Sequence, residues 1–121
     1  MKFNWVTCHV KNLEASLKFY QEIVGLPLAR RFTTGPGSEI AFLGDGETQV
    51  ELICSSRDTL AGMSPDISLG FAVDSIDRLL PVLQANGIAI HSGPFSPGPN
   101  LRFIYVQDPD GLKVQFAESR G

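Results

Sequence analysis

His9 is a side chain of this sequence whose type alone could do chemistry, because an imidazole changes charge near neutral pH. It could ligate a metal or serve as a general base, but the sequence shows no carboxylate beside it to orient the ring. A polar lining role is the competing reading. Tyr105 could touch a ligand or simply pack. Cys8 and Cys54 are the only cysteines, and neither sits in a CxxC or Cys/His cluster of structural-zinc type. Asp108-Pro109-Asp110-Gly111 reads as a turn and lacks the remaining ligands of a calcium loop. No nucleophile elbow, phosphate-cradling glycine loop or RNA-binding signature is present.

Those residues sit in a simple order of elements. Residues 3–10 alternate as a strand, with Val6, Cys8 and Val10 on one face and Trp5, Thr7 and His9 on the other. Asn12 is a fitting N-cap for a helix whose apolar stripe is Leu13, Leu17, Tyr20 and Val24, and Gly25 is its stop. Strands are expected near 27–33, 39–43 and 48–54, with Gly35-Pro36-Gly37 and Gly44-Asp45-Gly46 as turns. The second half repeats the order. A strand at 68–73 puts Leu69, Phe71 and Val73 on its apolar face. Ser75 can cap a helix striped by Ile76, Leu79, Leu80 and Leu83, which Gly87 ends. Pro81 inside that segment predicts a kink or a delayed start. Further strands are expected near 88–92, 102–107 and 112–117. Residues 92–100, with three prolines and two glycines, are expected to be an irregular loop.

Both halves therefore read βαβββ, joined by a linker over 55–65. They align at a shift of 63 or 64: Val10 with Val73, Gln21 with Gln84, Glu51 with Gln115. One domain over 1–121 is expected, with repeat units about 1–55 and 66–121. A length of 121 residues, with 43% hydrophobic and 19% charged, suits an ordinary soluble domain. The net charge of −3 argues against nucleic acid and anionic membrane as partners. Residues 1–10 lack the features of a secretory leader and no apolar run reaches the ~20 residues of a membrane span, so a cytoplasmic location with reduced thiols is expected.

The run Val10-Lys11-Asn12-Leu13-Glu14-Ala15-Ser16-Leu17-Lys18-Phe19-Tyr20, closed by Gly25-Leu26, resembles the opening of vicinal oxygen chelate proteins. Asp108-Pro109-Asp110-Gly111 followed by Leu-Lys-Val-Gln-Phe resembles their last hairpin. This is the glyoxalase/bleomycin-resistance/extradiol dioxygenase family. The resemblance implies an α+β fold in which two βαβββ repeats form an open, curved mixed sheet. It also implies a concave face for ligands and, in most relatives, a homodimer. The alternating faces then give expected ligand-binding residues: Trp5, Thr7, His9, Gln49, Glu51, Ser68, Phe103, Tyr105, Gln107 and Gln115. A solvated sheet face is the alternative.

The resemblance further implies where metal ligands of the family's enzymes would fall: Trp5, Glu51, Ser68 and Gln115. Only Glu51 is a strong ligand, Gln115 is a weak neutral one, and an indole nitrogen only donates. No cofactor is expected on that basis. The favoured expectation is a metal-free protein binding a small organic molecule. The alternative is a lyase, isomerase or dioxygenase with a weak divalent-metal site, for which Glu51 and His9 are the catalytic candidates. Without a cation, Glu51 needs hydrogen-bond donors, and Trp5, Ser68 and Gln115 are the expected ones.

Overall fold

A computed structural model describes residues 1–119; the last two residues of the second expected unit lie outside that range. The chain divides into two compact units, Met1–Gly62 and Met63–Gly121. Each is a four-stranded mixed sheet with one main helix, so the βαβββ order is present twice.

In the first unit β1 is Trp5–His9, α1 is Leu13–Lys18, β2 is Leu28–Gly35, β3 is Ser38–Leu43 and β4 is Gln49–Ser55. The sheet order is β1-β4-β3-β2, with β1 parallel to β4 and the remaining pairs antiparallel. Asn12 caps α1 as its residue type predicts: its side-chain oxygen accepts from the Ala15 amide at 3.1 Å. A single π-helical turn, Phe19–Ile23, extends the helix. The stripe is buried at Leu13, Leu17 and Tyr20, and Tyr20 is fully enclosed. Burying each such side chain stabilises the unit by roughly 1.5–3 kcal/mol. Gly25 ends the segment at a φ of +85°, a backbone conformation that disfavours a Cβ.

The second unit has β5 at Ser68–Ala72, α2 at Ile76–Ala85, β6 at Ser92–Gly98, β7 at Leu101–Gln107 and β8 at Lys113–Ser119. Its sheet order, β5-β8-β7-β6 with β5 parallel to β8, repeats the first. Two sequence expectations are corrected here, the first in part. Of the kink or delayed start expected from Pro81, the delayed start does not occur: α2 begins at Ile76, directly after Ser75. Its first donors are satisfied twice, by the Ser75 hydroxyl accepting from the Arg78 amide and by the buried Glu118 carboxylate accepting from the Ile76 amide at 2.8 Å. Those caps, with Ile76 and Leu83 fully buried, offset the hydrogen bond that Pro81 removes.

The second failure concerns the strand expected at 88–92 and the loop expected over 92–100. Residues 88–90 carry no regular structure, and the strand is Ser92–Gly98. Ile88 is used instead to close the helix, donating to the Leu83 carbonyl at 2.9 Å. The proline- and glycine-rich segment forms β6 because it is an edge strand, paired only with β7 at Ser92–Tyr105, Phe95–Phe103 and Gly98–Leu101. Register irregularities fall between those pairs. An edge strand needs only half its backbone donors, so prolines are tolerated there.

The last hairpin is fixed by Asp108. Its buried carboxylate accepts from the Asp110 and Leu112 amides, both at 2.9 Å, and Gly111 takes a φ of +88°. This turn sets the register of β8 against β7, and hence which residues of β8 share a face with Tyr105.

Candidate functional site

The β1–β4 register pairs Trp5 with Gln49, Thr7 with Glu51 and His9 with Ile53. Cys8 and Val10, on the opposite face of β1, are buried, while Trp5 is 46% exposed. Expected lining residues Trp5, Thr7, His9, Gln49 and Glu51 therefore share one face of the first sheet. Gln49 is held against the backbone, its amide donating to the Gly44 carbonyl at 2.9 Å.

The same face continues onto β3 and β2 through residues that sequence reasoning missed. Glu51 pairs with Phe42, and Phe42 with Arg30; Ile53 pairs with Ile40, and Ile40 with Phe32. Trp5 meets Phe42 edge-on with ring centroids 5.4 Å apart, and Phe32 stacks on Phe42 at 6.4 Å. The Arg30 guanidinium lies 4.2 Å from the centre of the Phe42 ring. Such a contact contributes about 0.5–1 kcal/mol at an exposed site. The alternation of Arg30, Phe32 and Thr34 with Arg31 and Thr33 was the available signal for this part of the face.

Glu51 takes its hydrogen bond from the Thr7 hydroxyl, at 2.5 Å. Thr7 was not among the donors expected for it, Trp5, Ser68 and Gln115. A cross-strand neighbour on the parallel ladder is fixed at contact distance by backbone pairing, so it reaches the carboxylate first. His9 also has the partner that its sequence neighbourhood did not show: Nδ1 lies 3.1 Å from Asp58 Oδ2, contributed by the segment after β4.

The second sheet presents a similar face. Ser68 pairs with Lys113, Gly70 with Gln115, and Gln115 with Tyr105. Phe103 and Tyr105 meet edge-on at 5.8 Å, and Phe95 of β6 lies 5.4 Å from Phe103 and 6.5 Å from Tyr105. The Lys113 ammonium sits 4.5 Å from the Tyr105 ring centre. Gln115 donates to the Tyr105 hydroxyl at 3.4 Å, a long bond. Its amide oxygen lies over Gly70, 3.1 Å from where a Cβ would stand. Gln107 is exposed at the end of β7. Phe95 was missed because its strand was read as loop.

These donors do not fit a divalent cation. The Trp5 indole has no lone pair to give and packs against Phe42. Glu51 offers a single carboxylate, and the Gln115 amide nitrogen is turned toward the Tyr105 hydroxyl. Among the described residues no group of three or more His, Cys, Asp or Glu is placed to hold a metal ion.

The repeated βαβββ units have counterparts among known proteins. Residues 2–116 match the model of the Glyoxalase/Bleomycin resistance protein/Dioxygenase superfamily, and the chain belongs to that superfamily. It is 30% identical to a lactoylglutathione lyase of Haemophilus influenzae over 92% of this chain and 87% of that protein. A lactoylglutathione lyase of Neisseria meningitidis is 31% identical over 92% of this chain and 86% of its own. A glyoxalase family protein from Bacillus cereus shares the fold with a TM-score of 0.86 at 21% identity, covering 100% of this chain and 95% of its own. An antibiotic-binding protein from a Streptomyces species shares it with a TM-score of 0.76 at 22% identity, over 98% of this chain and 96% of that one.

Proposed function

We propose that this protein binds a planar small organic molecule on its aromatic sheet faces, without a metal. One observation carries this reading. At Trp5, Glu51, Ser68 and Gln115 only one strong metal ligand remains, and the same faces carry partly exposed rings flanked by Arg30 and Lys113. Rings with a cation beside them favour a flat ligand of neutral or anionic character. The ligand-binding set is Trp5, Thr7, His9, Gln49, Glu51, Ser68, Phe103, Tyr105, Gln107 and Gln115, extended by Arg30, Phe32, Phe42 and Phe95. The protein acts as one cytoplasmic domain of a homodimer.

Trp5 is the sole tryptophan, so its fluorescence reports binding at the first face directly. A screen of planar compounds should give saturable quenching at about micromolar concentration, unchanged by a chelator. No quenching by any planar compound sinks the binding reading. The second reading is a lyase, favoured by the names of the Haemophilus and Neisseria relatives. Purified protein supplied with divalent metal, glutathione and methylglyoxal would then form lactoylglutathione, and Glu51→Gln would abolish the rate.

A further inference from the structure

We infer that His9, oriented by Asp58, accepts the proton of an acidic hydroxyl, phenolic or enolic, on a ligand lying across the first sheet. This deepens the binding reading and rests on it. The His9 side chain is 50% exposed and its Nδ1 faces Asp58 Oδ2. A carboxylate only accepts, so the proton of the neutral ring sits on Nδ1 and Nε2 keeps its lone pair. Asp58 itself, though not His9, lines a recess of about 270 Å³ together with Val10, Lys11, Ser55 and Leu60.

The strand register supplies the platform. His9 ends a cross-strand row that continues through Ile53 and Ile40 to Phe32. Ile53 and Ile40 are half-buried and carry no polar atoms in their side chains. A ring resting on them has its edge one strand spacing from His9, about 4.8 Å. The neighbouring row, Thr7–Glu51–Phe42–Arg30, is polar, and Glu51 Oε1 there accepts from the Thr7 hydroxyl. A hydroxyl on the edge of a ring that rests on Ile53 and Ile40 meets His9 Nε2 as the acceptor of its own row. In the step, the ligand O–H bond breaks and the proton passes to Nε2. The electron pair stays on the ligand oxygen, and the imidazolium is neutralised by Asp58. Asp58 is a positioning residue, since it acts through His9.

The probes are 4-nitrophenol, whose phenolate absorbs visible light, and 4-nitroanisole, which has the same ring and no hydroxyl. With wild-type protein, below the pH at which free 4-nitrophenol ionises, binding should raise the phenolate absorbance. It should also be about 10-fold tighter than for 4-nitroanisole. His9→Gln should remove the absorbance change and bind 4-nitrophenol and 4-nitroanisole with equal affinity, whatever it costs in contact with either ring. Asp58→Asn should reduce the phenolate fraction. It should also shift the ¹⁵N resonances of His9 from a fixed Nδ1–H tautomer toward a mixture. Equal phenolate signals in wild type and His9→Gln, or a tautomer indifferent to Asp58→Asn, overturn the inference. Quenching by 4-nitroanisole with no hydroxyl preference overturns it alone and leaves the binding reading standing. Failure of both probes and of every other planar compound removes both.

Discussion

Thr7 and Glu51 show how little a single side-chain contact has to contribute to hold a functional group. Thr7 is exposed and Glu51 half-buried, so Thr7→Val should change unfolding free energy by no more than about 1 kcal/mol in a urea titration. Its effect belongs in ligand affinity, because the carboxylate loses its tether. Arg31 offers a test of charge. It bonds Glu14 on α1 and Glu39 on β3, and the hydrogen bond from Arg31 holds the Glu39 carboxyl below its ordinary range. The same pair of carboxylates raises Arg31 further, so it stays charged at every working pH. A depressed folded value means the contribution is present above the unfolded carboxylate range, about pH 4 to 5. It is lost as pH falls through the lower folded value. The difference in urea midpoint between wild type and Arg31→Gln should therefore be largest near neutral pH and close below that range. A difference that grows on acidification would contradict it.

At the scale of elements, β6 depends on the conformation of Gly93. Its φ is +97°, and a Cβ there would stand 3.0 Å from the Phe103 carbonyl oxygen and 3.3 Å from the Ile104 Cα. Gly93→Ala should destabilise the protein by about 1–3 kcal/mol, measured by thermal or urea unfolding. The capping residues give a contrast: Asn12→Ala and Ser75→Ala should each cost about 1 kcal/mol. Those caps were legible because a cap is a local device, written within four residues. β6 was not, because its prolines and glycines describe a loop until β7 supplies a partner. Phe32, Phe42 and Arg30 escaped for a related reason. Which face they take depends on the register of β2 on β3, and a bulge between Leu28 and Arg30 resets it. Asp58 lies in the segment after β4, where no periodicity links it to His9. Glu51 and His9 could be placed on one face because β1 and β4 alternate cleanly.

At the scale of the whole molecule, the two units repeat more than their order of strands. Phe32 and Phe95 take matching places in the two sheets, as do Phe42 and Tyr105, all at a shift of 63. Phe32→Ala and Phe95→Ala should each weaken a planar ligand, and only Phe32→Ala should alter the quenching of Trp5. Four sheet edges, β1, β2, β5 and β6, bound the two sheets, and edges favour cover by another chain. Sedimentation at micromolar concentration should give a dimer; a monomer alone would refute that expectation. The parallel pairing of β1 with β4 also bears on how the first unit comes together in time. Thr7 and Glu51, paired across β1 and β4, are 44 residues apart. The hairpins among β2, β3 and β4 can close early, whereas β1 must wait for the longest loop to shut. Trp5, riding on that strand, becomes a clock for the final step. In stopped-flow refolding its emission should recover after the bulk of the far-ultraviolet circular dichroism, so the face proposed to receive a ligand is the last part of its unit to exist.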